Sequence, residues 1–385
     1  MARRVKVAFI DCGIHPEFVP DDAGFERYRA DASGVHINDS PGEISHGTLC
    51  FHVFKSRARG PYDLVDIKVL DSGTGTGNLE ALVAALDWCN DKNIDLINMS
   101  MGTRQFADFA PLHGAVNALP EKTVIVSACS NTNELTAPAF FGRVAGVRYA
   151  KKEPGENPRD LDYYPKPYDG IGFHVSAKDL LLSLGSTEQV QLFGTNSFAA
   201  PVVTAALANL IFAGSVSALE AKLELEKTVV SPRQPSYSFH RSLFHFWKEI
   251  DVPIVSVPGG MTEQLGCLLR SFVEDGYRTI CLTSFSEERG QAAPVFFLDE
   301  APNAALHEKI TLYFNLAMPD IIFLSIDAVA LTELPPSLCA ETILLGSPKS
   351  GAETLSAMAQ FGAVIEMELR EGVRAVFSRL VEVLS

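Results

Sequence analysis

The sequence has too few cations for a protein that binds nucleic acid. Lys and Arg together number 32 against 47 Asp and Glu, which gives a formal net charge of −15. Phosphate binding needs clustered cations, so we expect no nucleic acid among the partners. The acidic balance keeps a protein soluble and favours cationic peptides over anionic ones.

The cysteines lack any disulfide or metal-binding pattern. There are seven, an odd number, and no two have C-x-x-C spacing. Several lie in apolar runs, as Cys129 and Cys281 do, which is typical of reduced, buried thiols in a reducing compartment. His240 and His245 lie close together, but two histidines without a further ligand make a weak metal site. We therefore expect neither a metal nor a cofactor.

Long apolar runs are also missing. The apolar segment near the N-terminus, residues 5–10, is too short for the core of a signal peptide. No apolar stretch approaches the roughly 20 residues that span a bilayer. We expect a cytoplasmic protein that does not contact a membrane.

Short β-rich runs alternate with helical patterns over the first half of the chain. Strands separated by helices predict a parallel α/β sheet with helices on both faces. Residues 151–170 are rich in Pro, Asp, Lys and Tyr and predict a surface loop. The predicted strands are 5–10, 62–70, 95–99, 123–129 and 144–149, and the predicted helices are 78–90, 112–119 and 198–212.

A second, smaller α/β pattern follows. The strand at 252–257 ends in Pro258-Gly259-Gly260, the strand–turn–helix shape of a nucleotide site, but no lysine follows Gly266, so the P-loop pattern fails. We favour a degenerate nucleotide-binding-like, Rossmann-like α/β domain that recognises a substrate or partner. The predicted domains are 1–220 and 251–385, joined by a linker at 221–250. The other predicted elements here are strands at 277–283, 320–326, 342–346 and 363–367 and helices at 261–275, 303–316 and 372–384.

Two segments each place one functional side chain beside a glycine. Asp11 ends the first predicted strand and is followed closely by Gly13, which puts a carboxylate at the carboxyl edge of the sheet, where open α/β sheets place their sites. His46 precedes Gly47, which permits close approach of the backbone. Taken alone, Asp11 also fits a strand-end turn, and His46 fits a surface histidine before a helix.

Two further segments supply an amide and a hydroxyl. Asn131 follows the buried run 123–129, and an asparagine there can donate its side-chain N–H to a developing oxyanion, a contact worth about 2.7–4 kcal/mol. Ser197 begins an alanine-rich helix, so free N–H groups and the positive end of the helix dipole lie beside it. Taken alone, Asn131 fits a turn and Ser197 fits a helix cap, and caps are far commoner than nucleophiles.

Together these residues form a chemically complete set. Serine is a poor nucleophile unless a base takes its proton, and histidine is the usual base near neutral pH. The imidazole in turn needs a carboxylate that fixes its tautomer and stabilises its charge. The combination therefore indicates a hydrolase far more strongly than any one segment does.

At these residues the sequence resembles the subtilisin family of serine proteases. The chain order Asp11, His46, Ser197 is the order of that family, and Asn131 stands where the family carries its oxyanion asparagine. The resemblance covers about residues 5–213. It extends to the segments 67–70, 95–102 and 138–147.

The resemblance implies a subtilisin-like parallel sheet and the catalytic triad Asp11, His46 and Ser197. It further implies that Ser100, Met101 and Gly102 pair with the substrate backbone as an added β-strand.

The sequence departs from the family pattern in several places. Cys12 stands where Ser or Thr is usual, and Asn196 stands where Thr is common. No run of alternating acidic residues resembles a calcium loop. No pro-segment precedes the first strand, so we expect the domain to fold without an autocleaved chaperone.

The function that the resemblance implies is that of a serine endopeptidase acting on a peptide or protein substrate through an acyl-enzyme. We interpret the chain as an intracellular processing protease, with a ribosomally made precursor peptide as a candidate substrate and a partner protein or peptide as a candidate ligand of the C-terminal domain. One alternative is a catalytically idle peptide-binding scaffold of a peptide-maturation system. Another makes the C-terminal domain a nucleotide-dependent regulator.

Overall fold

A computed structural model describes residues 3–384 apart from a set of short ranges. Those ranges are 41–42, 151–159, 166, 177–179, 185–187, 193–194, 215, 232–236, 245, 258–262, 286–293, 332, 336–337, 339–341, 347–362 and 367–372. The glycine turn predicted after residue 257 therefore lies outside the described residues. Contacts divide the chain into two compact units: residues 1–104 and 111–233 form the first, and residues 105–110 and 234–385 form the second.

The first unit is built on a nine-stranded sheet. Its strands are β1 (Val5–Asp11), β2 (Gly24–Asp31), β3 (Gly34–Ile37), β4 (Tyr62–Lys68), β5 (Leu96–Met99), β6 (Val124–Ala128), β7 (Ala145–Tyr149), β8 (Leu161–Tyr163) and β9 (Phe173–Val175). They lie in the order β3-β2-β4-β1-β5-β6-β7-β9-β8. Only the outermost pairs, β2 with β3 and β8 with β9, are antiparallel; β10 (Leu180–Leu184) and β11 (Glu188–Leu192) form a separate antiparallel pair.

Helices of the first unit cover this sheet. They are α1 (His46–Lys55), α2 (Leu79–Asn90), α3 (Phe109–Ala118), α4 (Asn196–Gly214) and α5 (Ala218–Thr228). Along β1, Val7 and Phe9 join the core that α1, α4 and α5 complete. The alternate residues Ala8 and Ile10 are also fully buried, as a sheet covered on both faces requires.

Among the described residues, α4 is the one helix long and apolar enough to cross a membrane by length and composition alone. Its 19 residues contradict the expectation that no apolar stretch approaches the length of a membrane span. However, 56% of its most apolar window is buried inside the protein, and the core helix of a soluble protein passes the same test. Here α4 packs against α1 and the central strands, which explains its composition.

The predicted α/β class is confirmed, and the predicted central strands and helices are present. The sequence patterns did not indicate β2 and β3, whose residues are mostly half-buried or exposed and carry charges. Strand β8 falls inside the segment predicted as a loop. Residues 221–228 of the predicted linker continue α5, because Ala221 and Leu225 are buried in the first core.

The second unit contains a six-stranded, wholly parallel sheet. Its strands are β12 (Ile254–Ser256), β13 (Thr279–Thr283), β14 (Val295–Phe297), β15 (Ile321–Ser325), β16 (Thr342–Gly346) and β17 (Ala363–Glu366), in the order β14-β13-β15-β12-β16-β17. Its helices are α6 (Tyr237–Ser242), α7 (Glu263–Glu274), α8 (Leu306–Ala317), α9 (Ala328–Leu331) and α10 (Val373–Leu384). Helices α7 and α10 share one core with the sheet, in which Phe272 and Phe323 are central. The Rossmann-like assignment of this unit stays a prediction.

One buried ion pair stands out within the first unit. The Arg148 guanidinium on β7 donates to Asp169 and, through Nε, to Asn133 Oδ1 at 2.8 Å. The side chains of Arg148 and Asp169 are 1% and 2% exposed. Burial alone would lower the pKa of Arg148, but the charge and hydrogen bond of Asp169, together with Cys129 and Tyr168, outweigh that penalty and raise it. The guanidinium is therefore charged at any working pH.

We expect Asp169→Ala to lower the free energy of unfolding by about 3–5 kcal/mol, because it leaves a buried guanidinium without its counter-charge. The matched control is Glu26→Ala, which removes the 3.2 Å ion pair between Lys6 and the half-exposed Glu26. That change should cost no more than about 1 kcal/mol. Urea unfolding followed by circular dichroism measures both, and equal losses would contradict the prediction.

Candidate active site

Asp11 and His46 form a hydrogen-bonded pair at the carboxyl end of β1. The imidazole Nδ1 lies 3.0 Å from Asp11 Oδ1 and 3.2 Å from Oδ2. Asp11 is fully buried, and its Oδ1 also accepts the backbone N–H of Cys12 at 2.7 Å. Because the carboxylate can only accept, it fixes Nδ1 as the protonated nitrogen and leaves Nε2 as the basic one.

His46 is the first residue of α1, and a capping box fixes that helix start. The Ser45 hydroxyl accepts the backbone N–H of Thr48, and the Thr48 hydroxyl accepts the backbone N–H of Ser45. Ser45 Oγ also donates to the carbonyl of Gly13, and Thr48 Oγ1 accepts the N–H of His15. The cap thus ties α1 directly to the loop that follows β1.

Gly47 lets α1 approach that loop closely. A Cβ placed at Gly47 would lie 2.7 Å from the carbonyl oxygen of Gly13 and 3.1 Å from Asp11 Cβ. The first contact is shorter than real Cβ atoms tolerate, and it is with backbone. The pairing of Asp11 with His46 therefore depends on the absence of a side chain at position 47.

Ser197 lies in the first turn of α4, beside His46. The ring of the next residue, Phe198, is 5.5 Å from the His46 ring and tilted by 32°. Cys50 Sγ bridges the two elements, since it is 3.7 Å from His46 Nε2 and 3.7 Å from the carbonyl oxygen of Ser197. Within the described chain, the Ser197 hydroxyl makes no hydrogen bond to His46.

Asn131 reaches the same helix start from the loop that follows β6. Its Oδ1 accepts the backbone N–H of Asn196 at 3.0 Å, and the residue itself is exposed. The N–H of Ser197 belongs to the first helical turn, where backbone donors have no partner in their own helix. Asn196 therefore connects the two candidate oxyanion donors. Its backbone binds the Asn131 side chain, and it directly precedes Ser197 in the chain.

The predicted substrate-binding segment, residues 100–102, follows β5 and is held by hydrogen bonds to buried residues of the first unit. Asn98 on β5 is fully buried, accepts the Thr204 hydroxyl at 2.9 Å and donates to Ser100 Oγ at 3.1 Å. Because Thr204 is on α4, this chain of bonds connects the helix of Ser197 with the segment of Ser100. Along the segment, burial decreases from Ser100 through the half-buried Met101 to the exposed Gly102.

The electrostatic field of the pair favours a charged imidazole. Burial lowers the pKa of His46, but the hydrogen bond that the imidazole donates to Asp11, the Asp11 charge and the contact with Cys50 together outweigh burial and raise the pKa above its ordinary 6.5. The thiols nearby stay neutral: burial raises the pKa of Cys12 to about 12 and also raises that of Cys50. The Asp11 charge acts in the same direction on both thiols.

A metal ion would compete with the triad for its own groups. Among the described residues, ligand atoms of Asp11, His46 and Cys50 all lie within 4.8 Å of one another. An ion held there would engage the imidazole that the predicted chemistry needs as a base. The expectation that the chemistry uses no metal stays a prediction.

The structure thus brings Asp11 and His46 into direct contact and places Ser197 and Asn131 at the same sheet edge. Sequence reasoning missed the roles of Cys50, Asn98 and Thr204. A buried cysteine one helical turn after His46 and a threonine inside an apolar helix carry no local signal of their partners. Their contacts join residues that lie on different elements of the fold.

No family model matches the chain. Comparison with known proteins gives serine proteases as relatives. The major intracellular serine protease of Bacillus subtilis is 27% identical over 224 residues, which are 54% of this chain and 68% of that protein. Subtilisin of Bacillus pumilus is 30% identical over 166 residues, 39% of this chain and 54% of that protein. The chain thus spans about half the length of that subtilisin.

Among solved structures, a cold-adapted subtilisin-like serine proteinase superposes with a TM-score of 0.44 at 17% identity. The superposition covers 59% of this chain and 84% of that one.

A buried aspartate bonded to a histidine, next to a serine at the start of a buried helix, is the arrangement predicted for an α/β serine hydrolase. The chain is similar in sequence to serine proteases of the subtilisin family. The family motifs lie in the first unit, and the second unit has no recognised family.

We expect Gly47→Ala to lower the free energy of unfolding by about 1–3 kcal/mol, because the added methyl meets the Gly13 carbonyl and pushes α1 away from β1. Gly114→Ala is the matched control, since a Cβ at this exposed helical position meets nothing within 4 Å. That change should stabilise by about 0.5–1 kcal/mol. Thermal unfolding compares the two, and an unaffected Gly47→Ala protein would contradict the packing argument.

The raised pKa of His46 predicts the pH dependence of any reaction in which it acts as a base. Only the neutral imidazole accepts a proton, so kcat/KM should rise with pH and reach half its maximum above pH 6.5. Asp11→Asn should lower that midpoint and reduce kcat by about 10⁴-fold. A pH profile of peptide hydrolysis measures both effects, and a midpoint below 6.5 in the unaltered protein would contradict the assignment.

Proposed function

We propose that the chain is a serine endopeptidase whose nucleophile is Ser197, whose general base is His46 and whose orienting carboxylate is Asp11. The observation that carries this proposal is the 3.0 Å contact of a fully buried Asp11 with His46, beside the first turn of the helix that bears Ser197. A carboxylate that fixes the histidine tautomer and leaves Nε2 basic is what serine activation requires.

The reaction follows from these positions. Ser197 Oγ attacks the peptide carbonyl while His46 Nε2 takes its proton, and the carbonyl oxygen becomes an oxyanion. Asn131 Nδ2 and the Ser197 N–H donate to that oxygen. His46 then gives its proton to the leaving amine as the C–N bond breaks. Water, deprotonated by His46, hydrolyses the acyl-enzyme and restores the serine.

The peptide substrate is proposed to bind along residues 100–102 as an added strand. The segment is anchored on one side by the Asn98 bond to Ser100, and Ser127 Oγ donates to the carbonyl of Met101 at 3.4 Å. Beyond it, Thr103 forms an antiparallel bridge with Ala137. These anchors leave the exposed Gly102 backbone for a peptide to pair with.

We further propose that the enzyme acts inside the cell as a processing protease, with a ribosomally made precursor peptide as its candidate substrate. Each described cysteine is a free thiol, and most are buried, which suits a reducing compartment. One relative is named as an intracellular serine protease. The second unit has its own sheet and core, which supports a separate role such as binding a partner protein or peptide.

The rival function is a catalytically idle scaffold that only binds peptides. The observation in its favour is that the Ser197 hydroxyl makes no hydrogen bond to His46 among the described residues. Such bonds are often long in free enzymes and tighten when substrate binds. The paired Asp11 and His46 favour the enzyme, since a scaffold has no need of an oriented base.

Labelling with a fluorophosphonate distinguishes the two functions. We expect the unaltered protein to be labelled at Ser197 and Ser197→Ala to be unlabelled. His46→Ala should be labelled several orders of magnitude more slowly, since loss of either residue costs about 10⁶-fold in kcat in subtilisin itself. The matched control is Ser217→Ala, which also removes a helix-capping serine, at the start of α5, and should still be labelled. A folded, unlabelled wild type would support the scaffold.

A further inference from the structure

Asn196, the residue before Ser197, has no role in the reaction as proposed, yet it is almost fully buried, with 4% of its surface exposed. It is also the position at which the sequence departs from the threonine common in the family. A buried asparagine at the start of an apolar helix is costly unless its polar atoms are paired. Its hydrogen bonds therefore indicate what it does.

Three hydrogen bonds connect Asn196 with two other elements. Its backbone N–H donates to Asn131 Oδ1 at 3.0 Å. Its side-chain Nδ2 donates to the carbonyl oxygen of Ser130, and its Oδ1 accepts the backbone N–H of Tyr149 at 2.7 Å. The start of α4 is thus fastened to β7 and to the loop that carries the Asn131 amide.

These bonds determine how both amides are turned. A backbone N–H only donates, so the atom of Asn131 that faces Asn196 is Oδ1, and Nδ2 points away. The same rule fixes which way the Asn196 amide is turned. The Tyr149 N–H only donates, so Oδ1 faces it, and the Ser130 carbonyl only accepts, so Nδ2 faces that group. Asn131 itself is exposed, so a ligand can reach its side chain.

We propose that Asn196 is a positioning residue for the oxyanion site, holding the Asn131 amide with its donor side toward the carbonyl that Ser197 attacks. This inference rests on the proposed function. The second donor, the Ser197 N–H, follows Asn196 directly in the chain. A donor must lie about 2.7–3.1 Å from the oxyanion, so a small rotation of the Asn131 amide forfeits the bond.

Threonine reproduces this arrangement less well. A hydroxyl can accept one hydrogen bond and donate another, but its one oxygen would have to replace two separate amide atoms that engage Ser130 and Tyr149. Asn196→Thr therefore keeps the backbone bond to Asn131 and weakens the side-chain bonds. Asn196→Ala keeps the backbone bond and loses both.

Rates of fluorophosphonate labelling test the proposal without a known substrate. The tetrahedral adduct places an oxygen in the oxyanion site, so labelling of Asn196→Ala should be about 10- to 100-fold slower. The slowing should not exceed the loss of about 10²–10³-fold that removing a donor outright causes. Asn196→Thr should fall between Asn196→Ala and the wild type, and it supplies the test if Asn196→Ala does not fold. The pH midpoint of labelling should stay unchanged, because the hydrogen bonds of Asn196 in the described chain go to Asn131, Ser130 and Tyr149 and not to His46.

A double-mutant cycle separates positioning from a general structural role. If Asn196 acts through Asn131, then Asn196→Ala should cause no further slowing in an Asn131→Ala background. Equal slowing in both backgrounds, or labelling of Asn196→Ala at the wild-type rate, overturns the proposal. A folded wild type that is not labelled overturns the proposed function and this inference with it.

Asn209→Ala is a matched control on the same helix. Asn209 also fastens α4 by its amide, accepting the N–H of Arg59 at 2.7 Å and donating to the carbonyl of Arg57 at 2.9 Å, but away from the oxyanion loop. It should lower Tm and leave the labelling rate unchanged. If Asn209→Ala slows labelling as much as Asn196→Ala does, loosening of α4 explains both, and the proposal is wrong.

Discussion

The close approach of α1 to the end of β1 is the contact on which the site depends. The Gly13 carbonyl occupies the space that a side chain at Gly47 would fill, and Ser45 donates to that same carbonyl. Backbone packing, rather than the freedom of two side chains, therefore holds His46 against Asp11. The carboxylate is in turn fully buried, so its charge acts on the imidazole with little screening by water. A strong electrostatic effect thus follows from a steric constraint.

Hydrogen bonds between buried polar groups connect this pair with the rest of the site. The core of the first unit is mostly apolar, and an unpaired polar group inside it would be costly. Thr204 donates a hydrogen bond to Asn98, and Arg148 supports the loop that carries Asn131 by donating to Asn133. The relative positions of α4, β5 and the loop after β6 are therefore specified more sharply than apolar packing alone would specify them.

Sequence patterns predicted the parts of the fold that periodicity determines. Buried strands such as β1 and β6 are continuous apolar runs, and α4 is rich in alanine, so their types could be read directly. Strands β2 and β3 were missed because a half-exposed edge carries charged residues, and α5 was hidden in a segment assigned as a linker. In the site, Asp11 and His46 were found because chain order and adjoining glycines mark them. The side-chain partners of Asn196 were not found, since Ser130 and Tyr149 meet it only in the folded chain.

Because α4 lies far along the chain from β1, the site is assembled late in folding. Ser197, the proposed nucleophile, lies near the C-terminal end of the first unit, whereas Asp11 ends the first strand, so the two meet only through contacts of very large sequence separation. Such contacts form late, because a long loop must close before they contribute. During synthesis, a chain that already contains the Asp11–His46 pair still lacks the proposed nucleophile until α4 has left the ribosome and packed against the sheet. The proposed site is thus complete only when the whole first unit has folded.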